Sequence, residues 1–294
     1  MPNTIGNPLS WSVDTARATG QHLGAVADRV GSHDVEADHA PRVRRIGIED
    51  LRAALRKGAE DFAATRSDVV FLCLLYPVIG ILMIAGALRG DMMPMIFPAI
   101  AGFALVGPVA GVGLYEMSRR REMGEEPSWG DALGVFNSPR FGAVLVLGLL
   151  HCAIFLAWMI TALGLNNAIM GAERPASMLG YLGSVLSTPA GWTLIIVGCG
   201  IGFLYAALVL AISIVSFPLL LDRNVGVPVA IATSIRVARE NPATVAVWGL
   251  IVAVGLVIGS IPLFLGLIVV LPILGHATWH LYRRAIEPLP GQGG

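Results

Sequence analysis

The sequence predicts an all-α polytopic membrane protein: six transmembrane helices arranged as three hairpins, each preceded by a cytoplasmic interfacial amphipathic helix. Three observations predict it. Apolar residues make up 55% of the 294 positions and charged residues only 14%, against about 25% charge in soluble domains. Apolar runs recur at lengths that suit a hydrocarbon core ~30 Å thick. The basic residues, finally, fall almost entirely on one side of those runs. Together these exclude a soluble enzyme, a disulfide-stapled secreted domain and a nucleic-acid binder.

Residues 1–45 are polar and broken by glycine, without the basic start and short apolar stretch of a signal peptide. They read as a flexible cytoplasmic tail. Its histidines, His22, His33 and His39, are too loosely spaced for a metal site and read as solvated. Residues 46–285 form the membrane domain, and 286–294 a short C-terminal tail.

The spans lie at about 69–88, 93–115, 141–165, 192–221, 244–258 and 263–282. The fourth is long enough to require tilt or an interfacial end. The last two are divided only by Gly259, Ser260, Ile261 and Pro262. A single helix through both would overshoot a bilayer about twofold at ~1.5 Å per residue, so these residues mark a turn. With six spans, only Arg89 and Arg174 of the 20 basic residues fall outside. That asymmetry puts both termini in the cytoplasm, in the cell inner membrane.

Each cytoplasmic segment that leads into a hairpin carries a comparable element. Before the first, Leu51, Ala54, Leu55, Gly58 and Phe62 recur at helical spacing; residues 129–136 and 230–238 precede the others. Such elements are expected in the headgroup plane, apolar side down. Their order, and the Pro139 and Pro242 junctions, suggest three degenerate repeats. A fourth amphipathic segment, Met178, Leu179, Tyr181, Leu182, Val185 and Leu186, is expected on the outer leaflet.

Few side chains suggest chemistry. Cys73, Cys152 and Cys199 are single, widely spaced and inside apolar runs, so no disulfide or thiolate site is expected. His276 and His280, four apart, share one helix face, as two ligands to one metal would. The competing reading is structural, with the imidazoles bonded to backbone or to Glu116. His151 would supply a third ligand only at matching depth. Glu116 has Arg119 and Arg120 at ion-pair spacing, and Asp222–Arg223 reads the same way. Asn166 and Asn167 read as helix-end caps. Pro77, Pro98, Pro108, Pro218 and Pro272, with Gly107, Gly111 and Gly113, suggest kinked, closely packed spans.

Asp61–Phe62, Tyr76–Gly80, Gly113–Arg120 and Gly275–Arg283 together resemble a family of bacterial integral membrane proteins of unknown function. Some of its members are labelled cytochrome c oxidase subunit I-like. The likeness covers roughly residues 45–285. The third repeat resembles, more weakly, the membrane domain attached to some glycerophosphodiester phosphodiesterases. The oxidase label does not extend to catalysis, because oxidase subunit I needs more spans and more histidine ligands than His151, His276 and His280 supply. The expectation is a non-catalytic protein without a cofactor, whose partners are the lipid bilayer and a membrane complex, respiratory by label alone. Two alternatives stay open: a small-molecule or lipid transporter or channel, and a metal- or haem-handling protein built on His276 and His280.

Overall fold

The computed structural model describes residues 41–73, 81, 85, 93–126, 128–135, 138–171 and 177–288. Most of the expected first span, with Tyr76–Gly80, lies outside the described residues, as do the tail histidines and Arg174.

The described residues form α1 (Ile48–Cys73), a short 3-10 turn (Met93–Met95), α2 (Ile96–Ala110), α3 (Val112–Glu122), α4 (Trp129–Gly134) and α5 (Phe141–Met170). After these come α6 (Met178–Ser187), α7 (Pro189–Ser213), α8 (Ser216–Asp222), α9 (Val227–Glu240), α10 (Pro242–Ser260) and α11 (Leu267–Ala285). Among the described residues, three helices are long and apolar enough to cross a membrane: α5, the α7–α8 pair and α10. Counting Met93–Gly102 and Ala104–Glu122, which meet at 43° within α2, as one span makes four. The sixth expected span, α11, carries Arg283 and Arg284 in its last turn and buries His276 and His280.

The apolar helices are thinly covered by protein. Only 28% of the apolar window of α5 and 11% of that of α7–α8 is buried, and Ile160, Ile196, Phe203 and Leu204 stand exposed. In water such a surface would aggregate or bind a partner; against lipid tails it carries no penalty.

Packing concentrates at the arginine-rich end. There Leu51, Tyr115, Leu147, Phe217, Leu219, Trp248, Trp279 and Tyr282 form one apolar core. A smaller core further along the helices holds Met95, Leu105, Trp158, Ala162 and Val209. Trp158 donates to the Pro98 carbonyl at 2.8 Å. Its indole lies against Gly102 and Gly202, where an added Cβ would come within 2.7 and 3.1 Å of the ring. Gly113 packs closely on Ala132, whereas Gly107 has nothing within 4 Å, so close packing holds for the first and not the second.

Several boundaries differ from the sequence reading. The first amphipathic element is the opening of α1, one continuous helix running antiparallel along α11. At their crossing, a Cβ on Gly58 would sit 2.6 Å from the Ala277 nitrogen and 2.7 Å from the Ile273 oxygen. Hydrogen alone fits there, and its absence of bulk brings the two backbones together. The third element, α9, buries Val227, Ala230, Thr233, Ser234 and Val237 at helical spacing, seated on α7 and α8. The long fourth span, Pro189–Asp222, is interrupted by a turn at Ile214–Val215. The break is held by the Ser234 hydroxyl, which donates to the Ala211 carbonyl at 2.8 Å and accepts from Val215 N at 3.5 Å.

The turn between the last two helices falls at 261–266, later than expected, because Leu263 and Phe264 adopt positive φ (50° and 64°). Their apolar side chains read as helix. Gly259 and Gly266 meet backbone to backbone across it. Of the expected kinks, Pro98 and Pro218 sit in first turns, where helix amides have no intrahelical partner to lose. Pro108 and Pro272 lie within helices, and Pro108 falls in the second arm, Ala104–Glu122, of the bent pair.

At the far end, α6 is an exposed amphipathic helix capped by Ser177, with Leu179 82% exposed. Asn166 is no simple cap: it is buried and accepts from the Tyr181 hydroxyl at 2.7 Å, tying α6 to α5. At the arginine-rich end, Val43 and Ile286 form an antiparallel bridge. Arg44 N donates to the Ala285 carbonyl at 2.8 Å, and Glu287 N to the Arg42 carbonyl at 3.0 Å.

Candidate functional site

The two histidines singled out by spacing meet at a buried carboxylate. Asp61 of α1 projects between α3 and α11, where it is 7% exposed. It gets there because the buried face of α1 runs Leu51, Ala54, Gly58, Asp61, Thr65, and Gly58 admits the backbone of α11. His280 Nε2 donates to Asp61 Oδ2 at 2.8 Å. The Ser118 hydroxyl donates to the same oxygen at 2.6 Å. Arg121 Nη1 stands 3.2 Å from Oδ1 and also donates to the Glu60 carbonyl at 2.9 Å.

His276 Nδ1 lies 2.8 Å from Ser118 Oγ. With the serine proton committed to Asp61, His276 carries its own proton on Nδ1 and donates to the serine oxygen. Its Nε2 is buried and makes no hydrogen bond of ordinary geometry, with the Leu114 carbonyl beside the ring. Burial pushes the Asp61 carboxyl up, but hydrogen bonds from His280 and Ser118, and the charge of the two imidazoles, outweigh it and hold the group below its ordinary value. The result is one anion bound by a guanidinium, a hydroxyl and one imidazole, with the second imidazole behind the hydroxyl. Chemically this can hold a helix crossing together or relay a proton from His276 Nδ1 through Ser118 to Asp61.

The expected bond from the histidines to Glu116 is not made. Glu116 belongs to a separate group, where Arg119 Nε and Nη2 donate to its two oxygens at 2.7 Å each and Arg120 Nε donates at 3.0 Å. The pairing is as expected, yet the carboxylate is buried instead of reaching toward water. Asp222 differs more: Arg223 is 3.9 Å away, while the Tyr282 hydroxyl donates at 2.5 Å and Arg283 lies at 3.6 Å. Glu122 accepts from Trp279 Nε1 at 2.9 Å and Arg283 Nε at 3.0 Å.

His151 takes no part in the Asp61 group. It is fully buried, bonded through Nδ1 to the Leu147 carbonyl at 2.9 Å, with Phe217 edge-on at 5.1 Å. Among the described residues no group of three or more His, Cys, Asp or Glu is placed to hold a metal ion. Cys152 and Cys199 are exposed on apolar helices.

Asp61, Ser118 and Arg121 were not singled out by sequence as site residues. A signal was present: Asp61 falls on the three-four stripe of apolar and small residues in α1, where a charge must find a partner.

Residues 96–222 match the family model described as "Predicted integral membrane protein (DUF2189)". The chain is an integral membrane protein. The matched segment runs from α2 through α8 and includes Ser118, Glu116 and Arg121, while Asp61, His276 and His280 lie outside it. No curated protein and no solved structure matches the chain.

Proposed function

We propose that this protein is a non-catalytic, six-span inner-membrane protein, its arginine-rich end and both termini cytoplasmic, that works by packing with or assembling a membrane partner. The observation that carries the reading is the contrast between its two parts. The arginine-rich end is cross-tied by Asp61, Glu116, Glu122 and Asp222 to arginines, histidines and a tyrosine. The apolar helices, by contrast, leave broad faces for lipid or for other helices. Such a rigid base with uncommitted helix faces suits a subunit. A respiratory partner rests on the family label alone, which is an analogy. Purification of the full chain in mild detergent should retain a stoichiometric membrane partner. A partner-free protein that catalyses solute uptake in vesicles would replace this reading with a transporter.

A second reading is favoured by one atom. The buried Nε2 of His276, beside His280 and without a hydrogen bond of ordinary geometry, is a nitrogen of the kind a metal or haem iron binds. Metal analysis and a visible spectrum of the purified protein decide it, read against a His276→Ala/His280→Ala variant. Absence of metal and of a Soret band removes it.

A further inference from the structure

A cleft of 190 Å³ opens at the arginine-rich end among α3, α4, α5 and α8, lined in part by Glu116, Arg119, Arg120, Ser138, Arg140 and Leu221. Its charge is lopsided, with three guanidiniums around one carboxylate. Both Glu116 oxygens are engaged by Arg119 and Arg120, which fixes the two arginines on one wall. Arg140 stands on another wall, directly before the first turn of α5, and is held by a hydrogen bond from Nη1 to the Leu221 carbonyl. Its own amide is bonded to Ser138 Oγ at 3.2 Å. Two acids lie near: Glu125, 3.5 Å from Arg120 and half-exposed, and Asp222, occupied by Tyr282 and Arg283.

Planar guanidiniums fixed in advance match the oxygens of a phosphate group better than flexible surface lysines do. The 30-residue helix α5 adds the positive end of its dipole at the same place. Because α5 is apolar from Phe141 onward and exposes Leu145 and Leu149, the cleft sits where hydrocarbon gives way to headgroups. Basic pockets between helices at that depth accept anionic headgroups.

We propose that this cleft receives a phosphate group, presented by an anionic lipid headgroup or by a soluble phosphate compound. The full chain in neutral detergent is titrated with phosphatidylglycerol and with phosphatidylcholine, and inorganic phosphate serves as competitor. Arg140→Gln removes one charge. Ser138→Asp keeps the turn, since a carboxylate accepts the same amide bond, and adds a negative charge to the rim. Each is expected to weaken binding roughly fivefold per unit charge, with an unshifted melting temperature for Ser138→Asp. Arg52→Gln, at an exposed arginine paired with Glu49, is expected to bind as wild type. A preference for phosphatidylglycerol that inorganic phosphate does not displace identifies a lipid source; displacement by inorganic phosphate without lipid preference identifies a soluble one. If folded Ser138→Asp and Arg140→Gln bind both probes as wild type does, or if neither probe binds, the proposal is overturned.

Discussion

Replacing Gly58 by alanine gives opposite results depending on whether α1 and α11 are packed as described. On an isolated helix the change stabilises by about 1 kcal/mol, through backbone entropy. Here the new methyl carbon would lie 2.6 Å from the Ala277 nitrogen and 2.8 Å from the Ala277 Cβ. Restoring ordinary contact at 3.4 Å requires the helices to part by about 0.8 Å. Neither obstacle is a flexible side-chain end, so the strain cannot be absorbed by a rotamer change. Overpacking of this kind costs about 1–3 kcal/mol, and the same displacement stretches the 2.8 Å bond from His280 to Asp61. A net loss of about 1–2 kcal/mol follows, or a melting temperature lower by roughly 3–6 °C. The assay is thermal unfolding of the detergent-purified protein, followed by tryptophan fluorescence, with Gly198→Ala as control. Gly198 has nothing within 4 Å, so its replacement is neutral or stabilising. Equal melting temperatures for the two variants, or a rise for Gly58→Ala, would refute the close crossing.

Three further outcomes are expected. Asp61 has a carboxyl held below its ordinary value of 3.8 in the folded protein, so its contribution is whole above that value and is lost as pH falls through the folded one. Wild type should therefore lose thermal stability on acidification below about pH 4, and Asp61→Asn should lack that part of the decline; parallel curves would disprove the linkage. Tyr282→Phe removes the 2.5 Å bond to Asp222 and should cost about 1.5–3 kcal/mol, the range for a bond to a charged group, measured in the same melt. Glu116→Gln strips the shared counter-charge from Arg119 and Arg120, whose partial exposure of 24% and 31% limits the loss to about 1 kcal/mol. A larger drop would mean that the pairing is more deeply desolvated than its geometry indicates.

The membrane character of the chain was legible because it is a property of composition. Apolar runs and the placement of arginine need no knowledge of contacts, and the starts of α5 at Phe141 and of α10 at Pro242 follow from the proline junctions before or within their first turns. The Glu116 ion pairs were legible for a related reason, as partners on one helix turn are fixed by spacing. What escaped depends on distant segments. Asp61 is 219 residues from His280, and nothing local distinguishes a carboxylate that faces α11 from one that faces water, apart from its place on the stripe of α1. The break at Ile214–Val215 was signalled only in part, by Pro218, whose ring denies the Ile214 carbonyl its helical amide; what holds it, Ser234, lies on another helix. The late turn at Leu263 and Phe264 escaped because hydropathy does not register backbone handedness.

The antiparallel bridge from Val43 to Ile286, with its two flanking backbone hydrogen bonds, makes this domain nearly a ring. Its entry and exit strands are already zipped side by side, so joining residue 41 to residue 288 through a brief linker would preserve the fold. New ends could then be opened at Gly124–Glu126, an exposed bend where glycine already holds a positive φ of 82°. A circularly permuted chain of this kind would carry fusion partners on a different rim of the same face, without disturbing either the clasp or the buried aspartate.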